Sequence, residues 1–156
     1  MPTLLRDQTI DVRVDFGGFG LQDTDCDALP LPYPDERAVD QAPFLSAFEG
    51  RVDIESAAHT HTATLTFEVW DSEPPEDRRA HWEVQGEAEI LSPSGELEIR
   101  AIAGAQEDDY LQLGDPGAMW KLRVYCAGRE EVARLAQQGV PEGVERYLAQ
   151  FWPADA

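Results

Sequence analysis

Apolar and polar side chains alternate along five segments of the chain, with the period of two that is typical of β-strands. In the clearest of these, residues 59–70, Leu65 and Phe67 lie on one side, while Thr66 and Glu68 lie on the other. The same pattern recurs in residues 9–16, 81–90, 96–102 and 121–127. Each segment is therefore predicted to be a strand with one buried side and one side facing water, as in antiparallel sheets.

The remaining elements complete an all-β prediction. Weaker strand patterns occupy residues 18–22, 51–56, 109–113 and 144–152. Residues 130–138 are predicted to form a helix that stops at Gly139, and residues 44–49 a second short helix. The predicted fold is all-β, mainly an antiparallel β-sandwich or flattened barrel of about 7 to 9 strands with one or two short helices. A chain of 156 residues suits a single β-sandwich domain spanning residues 1–156.

Proline and glycine mark two connections. A loop is predicted over residues 23–43, where prolines at 30, 32, 34 and 43 argue against a central strand. Residues 92–95 read Ser-Pro-Ser-Gly, a tight turn with proline at its preferred second position. This turn predicts a hairpin between the strands at 81–90 and 96–102, with Ser92 and Gly95 paired.

The predicted hairpin gathers carboxylates on its solvent side. Its register places Glu89 opposite Glu98, and Glu87 opposite Arg100, with Cβ atoms about 5 Å apart. Along the strand Glu87 and Glu89 are about 6.7 Å apart, which is less than the Debye length of about 8 Å. Carboxylates this close act as one negative surface. The predicted partner-binding residues are Glu83, Glu87, Glu89 and Glu98, together with Glu68 and Trp70 on the polar side of residues 59–70.

Composition makes the whole chain acidic, with 31 acidic and 12 basic residues and a formal net charge of −19. Direct binding to nucleic acid is disfavoured, because phosphates would meet repulsion instead of releasing counterions. No apolar run approaches the roughly 20 residues that span a bilayer, and no signal peptide is visible. Cys26 and Cys126 are too few for a disulfide scaffold, so a cytoplasmic protein with free thiols is expected.

Candidates for catalysis or metal binding are few. His59 and His61 fall on one side of a predicted strand and supply half of a metal site. They also continue its apolar side, which favours a packing role. No serine has a histidine partner indicated by the sequence. We therefore expect neither an enzyme nor a cofactor, with a small-ligand or metal-binding β-sandwich that uses His59 and His61 as the alternative.

The C-terminal part carries a resemblance. The stretches LRVYCAGRE (122–130) and ERYLAQFWPA (145–154) resemble the end of a group of small acidic bacterial proteins. The residues that carry it are Tyr125, Cys126, Gly128, Arg129, Tyr147, Leu148, Gln150, Trp152 and Pro153. The strand and glycines at 9–22 and the overall layout are also similar to competence protein J, a family of inhibitors of a DNA-entry nuclease. This resemblance implies a non-catalytic β-sandwich that binds a protein partner.

The sequence thus predicts an acidic interaction protein that binds and inhibits a basic partner, such as a nuclease or another DNA-binding protein, in the manner of an immunity protein. A competing interpretation treats the acidity as solvation of an ordinary structural domain. The two differ in whether the acidic side chains gather on one side of the molecule.

Overall fold

The computed structural model describes residues 2–14, 17–24, 44–48, 50–101 and 104–155. Over these residues the chain forms ten strands and one helix, so the all-β prediction is confirmed. In chain order they are β1 (Leu4–Val14), β2 (Gly18–Asp23), β3 (Leu45–Phe48), β4 (Arg51–Glu55), β5 (His61–Trp70), β6 (Val84–Ser92), β7 (Glu96–Ala101), β8 (Gly104–Gln112), β9 (Ala118–Ala127), α1 (Arg129–Leu135) and β10 (Glu142–Pro153).

The strands form two five-stranded sheets. The first sheet has the order β1-β5-β10-β9-β6, and the second has the order β3-β4-β2-β7-β8. β10 runs antiparallel to β9 but parallel to β5, so the first sheet is mixed. The second sheet is antiparallel in each of its neighbouring pairs, β3–β4, β2–β4, β2–β7 and β7–β8.

The core lies between the two sheets and follows the predicted alternation. Leu65 and Phe67 of β5 are fully buried, as are Leu122 and Val124 of β9. Leu97 of β7 faces them from the second sheet and is also fully buried. Burying such side chains contributes about 1.5 to 3 kcal/mol each, which explains why the period-two segments are strands in this fold.

Two sequence predictions are wrong. Residues 45–48, expected in a helix, form the edge strand β3. The predicted hairpin does not exist, because β6 pairs with β9 in the first sheet and β7 pairs with β2 and β8 in the second. The turn at 92–95 is therefore a corner that passes the chain from one sheet to the other.

Asp23 of β2 holds this corner together. Its carboxylate, which is fully buried, accepts hydrogen bonds from Ser92 Oγ at 2.6 Å, Ser94 Oγ at 2.9 Å and Ser94 N at 3.1 Å. Gly95 adopts φ +77°, and a Cβ there would lie 2.2 Å from the carbonyl oxygen of Gly114. The proline-rich stretch 25–43, with Cys26, lies outside the described residues.

A connecting segment, residues 71–83, crosses the outer face of the first sheet. β5 and β6 run in the same direction on opposite sides of β10 and β9, so their connection must traverse the length of that sheet. The carbonyl oxygen of Pro74 accepts from Arg123 Nη1 at 3.3 Å, and Asp77 N donates to Tyr125 Oη at 3.0 Å. Trp82 packs on Tyr125 with 5.4 Å between ring centroids.

A buried carboxylate joins the two sheets. Glu145 of β10, with no exposed surface, accepts from Ser56 Oγ at 2.7 Å and from Ala57 N at 2.9 Å, just beyond β4. The Tyr147 hydroxyl donates to the same carboxylate. Because the Ser56 hydroxyl donates to Glu145, its oxygen is the acceptor for His61 Nε2 at 2.7 Å.

Arg129 at the start of α1 closes this network. Its Nη1 lies 3.6 Å from Glu145 Oε2 and donates to the carbonyl oxygen of Glu55 at 3.0 Å. Gly128 adopts φ +78°, and a Cβ there would lie 2.1 Å from the carbonyl oxygen of Val144. The turn before α1 thus needs glycine to bring Arg129 against β10.

The network perturbs its titratable groups. Burial alone would raise the pKa of Glu145, but hydrogen bonds from His61, Tyr147, Ser56 and Ala57 outweigh it and hold the pKa below its ordinary value of 4.5. Burial, reinforced by the negative charge of Glu145, raises the pKa of Cys126 to about 12. The Cys126 thiol is therefore protonated and unreactive at neutral pH.

We predict that Glu145→Gln lowers the free energy of unfolding by about 2 to 4 kcal/mol at pH 7, because an amide NH₂ would face donors that now bond to a carboxylate. A folded-state pKa below the unfolded value stabilises the protein above that unfolded value, and the contribution disappears as pH falls through the folded pKa. The difference between wild type and variant should therefore narrow as the pH falls below the ordinary pKa of 4.5.

Urea unfolding at a series of pH values measures this difference. Glu142→Gln, an exposed position on the same strand, is the matched control and should leave stability within about 0.5 kcal/mol of wild type. A Glu145→Gln variant as stable as the Glu142→Gln control would show that the buried carboxylate does not hold the sheets.

Candidate partner-binding surface

The outer side of β6 carries exposed carboxylates at the edge of the first sheet. Glu87 and Glu89 point away from the core, while Ile90 and Ala88 face inward. β9 is the neighbour of β6 within this sheet. The alternation in the sequence placed these two glutamates on the solvent side, and the structure agrees.

Two basic residues of β9 lie beside them. The register puts Arg123 opposite Glu87 and Lys121 opposite Glu89. Arg123 Nε donates to Glu87 Oε1 at 2.8 Å, and its guanidinium lies 5.3 Å from the ring centroid of Trp152. Because Arg123 is 8% exposed and the Glu87 side chain is 61% exposed, the carboxylate and not the cation faces solvent.

A groove of about 310 Å³ runs beside these carboxylates. Carboxylates from two segments line it, with Glu73 contributed by the connecting segment, while Leu122 and Trp152 below them are buried. The lining residues are Glu73, Glu87, Ala88, Glu89, Lys121, Leu122 and Trp152. The sequence pattern could not identify Glu73, since it lies between strands and the alternation says nothing about where such a segment runs.

Glu83, a predicted contact residue, also has a structural task. Its carboxylate accepts from the backbone N–H groups of Gly128 at 3.2 Å, Arg129 at 3.1 Å and Glu130 at 3.3 Å. N–H groups at the start of a helix have no acceptor within the helix, and Gly128, the N-cap residue of α1, has no side chain that could accept from them. Glu83 therefore caps the helix from a distant segment while staying exposed.

Glu98 lies apart from the others. It belongs to β7 in the second sheet, opposite Gln22 and Tyr110, and not opposite Glu89 as the predicted hairpin required. Its carboxylate binds Arg100 Nη1 at 2.9 Å, and its side chain is 12% exposed. The prediction of one sheet face holding Glu89 and Glu98 together is therefore wrong.

Glu68 and Trp70 lie on the outer side of β5, as predicted, but the connecting segment covers Glu68. Glu68 is 2% exposed, and its carboxylate accepts from Trp70 Nε1 at 3.1 Å, Gln150 Nε2 at 3.0 Å and Arg79 Nη2 at 2.9 Å. Trp70 is half-buried. This geometry does not support a role of Glu68 and Trp70 in partner binding, because Glu68 is enclosed and already accepts hydrogen bonds from three side chains of the same chain.

The carboxylates that the structure does bring together are Glu73, Glu87 and Glu89, which line one groove and which we call the β6 acidic surface. They come from β6 and from the connecting segment, whereas Glu83, four residues before Glu87, is bound to the start of α1 and lies outside this surface. Glu87 and Glu89 are about 6.7 Å apart along the strand, within a Debye length of about 8 Å. Arg123 Nη2 lies 3.7 Å from Glu73 Oε2 and so serves two of these carboxylates, and Lys121 is the second cation beside them. Three carboxylates against two cations leave this edge of the first sheet with an excess of negative charge.

The two candidate metal ligands do not converge. His61 is buried in the Glu145 network, whereas His59 is exposed and its Nδ1 lies 2.7 Å from Thr60 Oγ1. Within the described ranges, no group of three or more His, Cys, Asp or Glu side chains is placed to hold a metal ion. Nor does that part of the chain contain a helix long and apolar enough to cross a membrane.

We predict that Glu83→Ala lowers the free energy of unfolding by about 1 kcal/mol, through loss of the cap on α1. Glu89→Ala, two strand positions from Glu87 and also exposed, is the matched control and should change stability by less than about 0.5 kcal/mol. Thermal unfolding followed by circular dichroism measures both. Equal melting temperatures for the two variants would contradict the capping role.

Two solved structures are similar to this fold over nearly their whole length. ComJ from Bacillus subtilis, described as an inhibitor of the DNA degrading activity of NucA, matches with a TM-score of 0.62 and 15% identity, over 99% of this chain and 99% of that chain. The crocagin biosynthetic gene J protein matches with a TM-score of 0.65 and 16% identity, over 96% of this chain and 97% of that chain. No protein-family model and no curated protein matches the sequence. The chain therefore shares its fold with ComJ, which confirms the predicted likeness to competence protein J at the level of the fold.

Proposed function

We propose that this protein binds a basic partner protein through the β6 acidic surface and blocks it, acting as an inhibitor and not as an enzyme. The observation that carries the proposal is the shared fold with an inhibitor of DNA degradation, over 99% of both chains, in a chain of formal net charge −19. An enzyme that degrades DNA must attract phosphates and so needs a basic surface. An acidic protein surface competes for that same region.

The geometry of the β6 acidic surface suits such a partner. Its carboxylates Glu73, Glu87 and Glu89 line one groove at the edge of the first sheet. Exposed charges of this kind speed association with a partner of opposite charge. A lysine or arginine side chain of the partner suits the groove, because its cationic end can meet these carboxylates while its apolar stem lies beside Ala88.

A non-catalytic role is supported by the burial of the groups best suited to catalysis. Ser56, His61 and Glu145 contact one another, as a nucleophile, a base and an acid would. They are 7%, 1% and 0% exposed, respectively, and the Ser56 hydroxyl already donates to Glu145. A substrate would have no access to this hydroxyl, so the cluster supports the fold.

The test measures binding to a panel of basic nucleases by surface plasmon resonance at low and at physiological salt, with inhibition of DNA cleavage as a second readout. A triple variant, Glu73→Gln with Glu87→Gln and Glu89→Gln, keeps the side-chain shapes and the hydrogen-bond acceptor for Arg123. We expect its association rate to fall roughly tenfold at low salt, with a smaller change in the dissociation rate.

A second triple variant controls for net charge. Asp115→Asn, Glu142→Gln and Asp155→Asn remove the same number of charges from exposed positions outside the β6 acidic surface, and should leave the association rate within about twofold. Equal effects of the two triple variants would assign the attraction to overall charge. Absence of binding to every basic nuclease at low salt would overturn the proposal.

A further inference from the structure

β1 is an unusually open edge of the first sheet. Within that sheet its neighbour is β5, and seven of its eleven residues are exposed. Leu4 and Leu5 are 39% and 55% exposed. An edge strand offers a row of backbone N–H and C=O groups to any other strand, and proteins guard such edges with short strands, prolines, bulges or charged side chains. β1 is eleven residues long and contains no proline, its register shift lies at its start, between Leu4 and Arg6, and its charges are of both signs.

The charges of β1 favour one kind of occupant. The strand carries Arg6, Asp7, Asp11 and Arg13, so it is neutral, whereas the whole chain has a formal net charge of −19. Two copies of so acidic a protein repel each other across most of their surfaces. A neutral edge is where that repulsion is weakest, and it offers a basic partner less attraction than β6 does.

We propose that β1 pairs antiparallel with β1 of a second copy, joining two five-stranded sheets into one continuous sheet across a two-fold axis. Residues directly opposite each other must lie on the same side of the sheet. Side chains alternate along a strand, so both residues of a pair must be odd-numbered or both even-numbered. The two-fold axis therefore lies where one residue faces its own copy. An axis at Ile10 places Asp7 of each copy opposite Arg13 of the other. An axis at Thr9 would place Asp7 opposite Asp11 twice, and like charges directly opposite are destabilising.

Apolar side chains meet under the same register. Ile10 is half-buried in one copy and lies on the two-fold axis, so it packs against Ile10 of the second copy. Tyr110, at the neighbouring edge of the second sheet, is 44% exposed, and its carbonyl oxygen accepts from Gln8 Nε2 at 3.3 Å.

The dimer leaves both β6 acidic surfaces at its far edges, so it neither requires nor prevents the proposed inhibition.

The test is sedimentation equilibrium from micromolar to millimolar protein, with wild type expected to show a monomer–dimer equilibrium. Asp7→Arg and Arg13→Asp each turn both cross-strand pairs into like charges. Each should raise the dimer dissociation constant roughly 2- to 30-fold, since two cross-strand pairs are lost. The double variant, Asp7→Arg with Arg13→Asp, restores both pairs and should return the constant to within about threefold of wild type.

Matched controls separate register from net charge. Asp115→Arg and Arg134→Asp make the same charge changes at exposed positions outside β1, and circular dichroism checks that each variant is folded. If Asp7→Arg is not folded, Asp7→Asn replaces it, and if Arg13→Asp is not folded, Arg13→Gln replaces it. A monomeric wild type at millimolar concentration, single variants that match the controls, or a double variant as weak as the single ones would each overturn the proposal.

Discussion

The buried carboxylate of Glu145 is the constraint on which the rest of the fold depends. It lies on β10, in the middle of the first sheet, yet two of its donors, Ser56 and Ala57, come directly after β4 of the second sheet. A carboxylate with no exposed surface is tolerated only when its oxygens are satisfied. The network therefore fixes how the two sheets sit on one another, and Arg129 extends that constraint to the helix.

The residues on which the sequence analysis based its predicted resemblance serve this framework. Gly128 permits the turn into α1, and Arg129 and Tyr147 belong to the Glu145 network. Gln150 donates to the buried Glu68, and Trp152 supports the guanidinium of Arg123. Such residues describe how a fold is held together and say little about what it binds. This agrees with a fold shared with ComJ at 15% identity.

Although β3 was expected to be helical, period-two alternation was enough to predict β1, β5, β6, β7 and β9 and the inward side of each, because burial repeats locally along a strand. It could not show which strands pair. The turn at 92–95 has the same residues whether it closes a hairpin or a corner, and the deciding contact comes from Asp23, some 70 residues away in sequence. The alternation also could not predict that Glu68 is buried, since it assigns a residue to one side of the sheet and does not show which segment covers that side.

One signal for the Glu145 network was present in the sequence. Glu145 falls on the same side of its strand as Tyr147, Ala149 and Phe151, which makes it a charged residue in an apolar row. A carboxylate in such a row requires buried donors, and His61 occupies an equivalent place in β5. The partners of Glu145, Ser56 and Arg129, come from distant parts of the chain, so the sequence pattern could not identify them.

The two edges of the first sheet differ in charge because of where the arginines lie. Among the described residues, four arginines bind carboxylates that are enclosed or half-enclosed, in the pairs Arg51–Asp53, Arg79–Glu68, Arg100–Glu98 and Arg129–Glu145. Cations used in this way cannot offset exposed acids elsewhere, so β6 stays negative even with Arg123 and Lys121 beside it. β1 carries its own arginines and is neutral. The proposed binding of a basic protein and the proposed pairing of two copies therefore use opposite edges of the same sheet.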